Sequence, residues 1–267
     1  MGIPTIASVT TAPPLSAAPP RPTRAAVTGP PIPREHGAWG ILLIPFATAC
    51  GIRGTFDFKL ALLLASALCF YTARTSFLKR NVTWTALLLA GSAACLAPLL
   101  FVWHLWWLVA LGIPVAPLAF RKTEHSVIRQ LLAVCGLTLT APAAWYVATG
   151  RLDRDAGFLW ALNVLYFAGG VFYVKMHIAA AIRRKPLETI RERLRISAGV
   201  LTYHSLLAVI GALLWPVGLV FTPAVVRSII GVWRLSPTLR IKRLGWTEVA
   251  YSIVFAAALI LALHGRF

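Results

Sequence analysis

Acidic residues are scarce in this chain. Eight Asp and Glu stand against 26 Lys and Arg in 267 residues, and only 13% of positions are charged. A typical soluble domain carries about 25% charged residues, so a water-soluble fold of this length is excluded for want of polar surface. With so few carboxylates, chemistry that needs clustered oxygen ligands for Mg²⁺ has little to work with. The side read below as cytoplasmic offers only Glu35, Glu124, Glu188, Glu192 and Glu248, with no DxxD pattern. Asp153 and Asp155 form a DxD, but they lie beside Arg151 and Arg154 in a loop of the opposite side and read as a solvated turn. HExxH, GxSxG and P-loop patterns are also missing.

Cysteine is sparse too. Cys50, Cys69, Cys95 and Cys135 all fall inside apolar runs without CxxC or metal-type spacing, and they read as packing residues. No cofactor is predicted. Histidines in adjacent spans, His177 with His204 or His36 with His204, leave haem open, and Mg²⁺ likewise.

What the chain has in abundance is hydrocarbon. It is 58% hydrophobic, with a mean hydropathy of +0.76. That composition defines an all-α polytopic membrane protein whose first partner is the lipid bilayer. The basic excess then reads as cationic cytoplasmic loops, with no nucleic acid implied. Residues 1–33, rich in Pro, Ala and Thr, lack an early apolar core. They read as a disordered cytoplasmic tail and not as a cleavable signal peptide. Residues 34–267 form the transmembrane helical domain.

Nine apolar runs are long enough to count as spans: 37–53, 59–74, 82–102, 104–120, 127–149, 156–174, 196–214, 216–234 and 247–264. The second is short, and Arg227 interrupts the eighth. Trp103–His104 and Trp215–Pro216 predict tight hairpins. Charge gives an independent check. Three basic residues lie in the tail, three over 74–80, three over 121–129, seven over 175–195 and five over 227–243; the other loops and the C-terminus carry only five of the 26. This bias predicts an N-terminus inside and a C-terminus outside. In the longest inner loop, Pro186 followed by Leu187, Ile190 and Leu194 among arginines predicts a basic amphipathic surface helix, or simply a topological anchor.

The stretch PREHGAWG, residues 33–40, places Arg34, Glu35 and His36 where the tail meets the first span. One reading is a helix start, with an acid at the positive helix end and Trp39 at the interface. The other has His36 facing a cavity, with Glu35 orienting it or accepting its proton. Other polar groups collect at the same level: Arg74, Arg121, Lys175, His177, Tyr203, His204, Arg227 and Glu248. Some of these long side chains snorkel, but ionisable groups inside a span are costly and usually face the bundle interior. If they converge, the result is a basic cavity open to the cytoplasm. Its guest would be an anion such as a phosphate, a carboxylate or a lipid head group. The candidate ligand-binding set is therefore Arg34, Glu35, His36, Trp39, Arg74, Arg121, Lys175, His177, Tyr203, His204, Arg227 and Glu248; catalytic residues are not assigned.

The segment PREHGAWGILLIPF resembles the opening signature of the YwiC-like family of bacterial integral membrane proteins. LRIKRLGWTEVAYSIVF (239–255) and the Tyr203–His204 pair are similar to the family's later pattern. The resemblance implies a multi-pass protein of the bacterial cytoplasmic membrane; the family is functionally uncharacterised. The span layout is also loosely similar to UbiA-type prenyltransferases. Yet FYTARTSFLKRN (70–81) and YVKMHIAAAIRRK (173–185) carry no acid where that superfamily has Asp-rich motifs. Metal-dependent prenyl transfer is thereby put in doubt. Three functions stay open: binding or modifying an anionic lipid or phosphate/carboxylate ligand without a metal, secondary transport of a small solute, and a non-catalytic membrane scaffold. Pro98, Pro114, Pro117 and Pro142 are candidate helix breaks for the second.

Overall fold

The structure is a computed structural model that describes residues 36–119, 126–183, 189–238 and 241–266. The tail 1–33, Arg34, Glu35 and Arg121 lie outside the described residues, as does the side chain of His36. Among the described residues every regular element is helical: α1 (His36–Arg53), α2 (Phe58–Leu78), α3 (Val82–Phe101), α4 (Trp107–Gly112), α5 (Val115–Ala119), α6 (Val127–Leu137), α7 (Thr140–Thr149), α8 (Arg154–Ile182), α9 (Ile190–Leu213), a 3₁₀ turn (Val217–Phe221), α10 (Thr222–Trp233) and α11 (Ile241–Leu263).

Among the described residues, six helical stretches are long and apolar enough to cross a membrane: Phe58–Leu78, Val82–Phe101, Val127–Thr149, Arg154–Ile182, Ile190–Leu213 and Lys242–Leu263. This is a helical membrane protein. The runs expected at 37–53, 104–120 and 216–234 coincide with shorter apolar helices, Gly37–Arg53, Trp107–Pro117 and Val217–Trp233. Two of the candidate breaks are used. Pro114 lies between α4 and α5, and Pro142 sits in the first turn of α7, just past the interruption at Thr138–Leu139. Proline fits a first turn because its missing N–H has no partner there anyway. Pro98, by contrast, remains inside α3.

The acids at the ends opposite the basic loops act as helix caps. Asp57 accepts the Leu60 N–H at 3.0 Å to start α2, and Asp153 accepts that of Ala156 at 3.0 Å to start α8. The basic surface helix expected to open at Pro186 has its start outside the described residues, and from Thr189 on its residues belong to a longer helix. Thr189 caps α9 by accepting the Glu192 N–H at 3.2 Å, and the helix then runs unbroken to Leu213. A Thr-x-x-Glu start is a capping-box signature, and nothing after it breaks the helix. Arg193 Nη1 instead donates to the Trp233 carbonyl at 2.7 Å and closes the end of α10, while Arg183 pairs with Glu192 at 3.0 Å.

Helix pairing uses small and hydroxyl side chains. Ser66 on α2 and Ser92 on α3 each donate to the other's carbonyl at 3.0 Å. Thr140 on α7 donates to the Leu42 carbonyl of α1 at 2.8 Å. Such residues let apolar helices approach closely when lipid supplies no hydrophobic drive. Between α9 and the 3₁₀ turn, after a cis Trp215–Pro216 peptide, a Cβ on Gly218 would collide with the Gly211 carbonyl. The main core centres on Trp145, Leu159, Phe221 and Phe255, with Tyr166 stacked on Phe255 at 3.9 Å. A smaller cluster, Tyr173, Met176, Val200, Val232 and Leu235, fills the end of the bundle where α8 finishes and α9 begins.

Candidate functional site

At that same end lies an open cavity of about 900 Å³, lined by parts of α1 to α8 and α11. Its wall is mostly apolar, with Leu63, Leu96, Leu108 and Phe167 among the contributors. Both helix breaks border it, through Gly112 and Val115 on one side and Leu137 and Thr140 on the other. Among the described residues, four charged side chains reach it: Arg74 from α2, Arg129 from α6, Lys175 from α8 and Glu248 from α11. Arg74 and Lys175 lie one to two turns before the ends of α2 and α8, and Arg129 lies in the first turn of α6. The three cations therefore gather at one end of an otherwise hydrocarbon space.

Glu248 joins the cavity to a second polar cluster. Its Oε1 lies 2.6 Å from Nη1 of Arg227 on α10. The contact is an ion pair by distance without the alignment of a hydrogen bond, and Arg227 Nε likewise has no acceptor. The Arg227 side chain is only 4% exposed. Its guanidinium carbon sits 4.4 Å from the Tyr173 ring centre and 5.4 Å from that of Tyr251, two ring contacts that suit a planar cation. Gly231, one turn beyond Arg227, makes room for Tyr173: a Cβ there would lie 2.5 Å from the ring.

His204 belongs to this neighbourhood but not to the cavity wall. Its Nδ1 donates to the Val200 carbonyl at 2.9 Å, and its Nε2 meets Ser228 Oγ at 2.9 Å. Both ring nitrogens are engaged within the protein, and Ser228 is next in sequence to Arg227. Two adjacent glycines of α8 accommodate the cluster. A Cβ on Gly169 would lie 3.1 Å from His204 Nε2, and one on Gly170 would lie 3.2 Å from Glu248 Oε2.

Of the residues singled out from sequence, Arg74, Lys175 and Glu248 line the cavity, and Arg227 reaches it through Glu248. Trp39 packs edge-on against the cavity residue Tyr71 at 5.1 Å. Tyr203 ties α9 to α8, donating to the Leu165 carbonyl at 2.6 Å and stacking on Phe172. His177 faces its own helix, with Nδ1 3.0 Å from the Tyr173 carbonyl. Among the described residues no three His, Cys, Asp or Glu come close enough to hold a metal. Sequence reasoning missed Arg129, Tyr173 and Tyr251. Arg129 was visible only as one basic loop residue among several, and the tyrosines carried no signal distinguishing them from core.

The geometry defines a class: a helical membrane protein with a mainly apolar cavity whose cations gather at one end. Comparison with known proteins shows what the chain is similar to. The model described as "YwiC-like protein" matches residues 32–145. A relative from Bacillus subtilis (strain 168), "Uncharacterized protein YwiC", is 27% identical over 249 residues, covering 86% of this chain and 97% of its own. Residues 32–145 therefore resemble the YwiC-like family, and the relative carries the similarity over most of the chain. No solved structure matches it.

Proposed function

We propose that the cavity holds an anionic amphiphile: a lipid, or a phosphate- or carboxylate-headed ligand, bound without a metal. The observation that carries this reading is the position of Arg74, Arg129 and Lys175 around one end of a mainly apolar space of about 900 Å³. Cations there supply the charge complement that an anionic head needs, and the leucine-lined remainder suits a hydrocarbon tail. All three cations lie on helix ends that adjoin the basic loops, so the positive-inside bias supports a cavity facing the cytoplasm, with nine spans, the N-terminus inside and the C-terminus outside. The bacterial relative supports residence in the bacterial cytoplasmic membrane. Arg227 and Glu248 act as the fixed wall behind the cations.

Native mass spectrometry of gently purified protein, with identification of co-purifying lipids, tests the reading. An anionic amphiphile retained by wild type and lost from Arg74→Ala with Lys175→Ala is the expected result. Identical bulk lipids on both proteins would overturn it.

Transport is a second reading with its own observation, since two interrupted helices, α4–α5 and α6–α7, both border the cavity. Broken helices recur at transporter binding sites. Uptake of a labelled anion into vesicles containing the protein, abolished by Lys175→Ala, would favour it.

A further inference from the structure

Glu248 is the only carboxylate on the cavity wall among the described residues, and three cations nearby do not explain why an acid belongs there. Its charge is met from behind by Arg227, at 2.6 Å from Oε1. Arg227 is in turn in contact with the rings of Tyr173 and Tyr251. The other oxygen, Oε2, faces Gly170, which also lines the cavity and has no side chain to cover it. An ion-paired carboxylate needs no second cation, yet an oxygen with spare lone pairs beside a cavity is a strong hydrogen-bond acceptor.

From this arrangement we infer that Glu248 Oε2 is an acceptor subsite for a hydroxyl or amide N–H on the ligand, placed between its anionic head and its apolar chain. The inference rests on the anionic-amphiphile reading above and narrows the substrate class. Position along α8 sets the order of groups. Lys175 lies five residues beyond Gly170, about 7.5 Å towards the helix end. Phe167, three residues before Gly170, already belongs to the apolar wall. Along α2, Arg74 and Leu63 are eleven residues apart, about 16 Å. From the cationic end inwards, a ligand therefore meets cations, then an acceptor, then hydrocarbon. Lysophospholipid-type and N-acyl-amino-acid-type amphiphiles match that order: anion, donor, chain. A diacyl phospholipid without a free hydroxyl near its backbone presents no donor at the second position.

The test uses two probes of equal charge and tail, 1-oleoyl lysophosphatidic acid and its 2-O-methyl ether, in competition for the full-length protein in nanodiscs. Wild type should prefer the free hydroxyl about tenfold, the scale of leaving one such group unpaired. The preference should fall to near unity in Gly170→Ala, which crowds Oε2 while leaving the Arg227 ion pair intact, and in Glu248→Gln. Lys175→Ala should weaken both probes together and keep their ratio. Equal binding of the two probes by wild type, with both weakened by Lys175→Ala, overturns this inference and leaves the anionic-amphiphile reading standing. Binding of neither probe by wild type, with no anionic amphiphile co-purifying either, overturns both.

Discussion

Arg227 of α10 and Glu248 of α11 meet at 2.6 Å beside the cavity, one side chain 4% exposed and the other 18%. Removing either partner leaves a buried charge alone, which costs about 3–5 kcal/mol. Arg227→Met and Glu248→Leu should each lower the unfolding temperature in detergent strongly. The double variant should recover most of the loss, because apolar replacement of a whole buried pair is often neutral. Additive destabilisation in the double-mutant cycle would show that the two charges do not depend on each other.

The Tyr173 ring occupies space that exists because position 231 is glycine. Gly231→Val should push the ring off Arg227 and cost about 1–3 kcal/mol through overpacking. Tyr173→Ala in the same background should relieve the clash. Thermal melts of the two single variants and the double variant decide it: partial recovery supports the ring-on-glycine contact, and strict additivity refutes it.

Much of the fold was legible because a hydrocarbon slab imposes length. The apolar run 82–102 became α3 (Val82–Phe101), and 127–149 became the α6–α7 pair. Arg227 was recognisable as a buried charge for the same reason, since a cation within an apolar run must find a partner. The identity of that partner was not legible. Glu248 lies 21 positions away on another helix, and hydropathy reports how long a helix is, not how it is rotated. His204 shows the opposite outcome. A histidine inside a span read as a ligand candidate, whereas a carbonyl and Ser228 satisfy it internally. The basic run 190–195 read as a surface helix because its charges resemble one; the Thr189 cap and the lack of any breaker before Leu213 join it to the long apolar helix.

That assignment of His204 can be checked directly. Ser228→Ala removes the partner of Nε2 and should destabilise by about 1 kcal/mol, while ligand retention stays at the wild-type level. Arg74→Ala should show the reverse: little loss of stability and a clear loss of bound anion. A native mass spectrum paired with a melting curve for each variant separates the two roles. Ligand loss in Ser228→Ala would return His204 to the binding site.

Ser66 and Ser92 exchange two hydrogen bonds across α2 and α3. In water such a buried pair would be expected to matter, but helices in lipid gain only about 0.6 kcal/mol on average from an interhelical bond. Ser66→Ala and Ser92→Ala should each be mild, and the double variant not much worse than either. Bulk at this contact should matter more, since small side chains let the two helices approach. Ser66→Leu is therefore expected to destabilise more than the double alanine variant, which unfolding in mixed micelles would measure.

The proposed orientation predicts a different labelling behaviour at each end of the bundle. Lys79 and Arg80 occupy the α2–α3 turn on the basic side, whereas Leu152 precedes α8 at the opposite end, before the Asp153 cap. Exposed tryptophans mark both levels: Trp106, Trp107 and Trp215 at the end near Leu152, and Trp233 and Trp246 at the basic end, as an interfacial aromatic belt requires. With Cys50, Cys69, Cys95 and Cys135 replaced by alanine, a single cysteine at 152 should react with a membrane-impermeant maleimide on intact cells. A cysteine at 79 should react only after permeabilisation. Reversed labelling would put the cationic end of the cavity on the outer face, where the 21-to-5 division of basic residues disfavours it, and the ligand would then have to come from outside the cell.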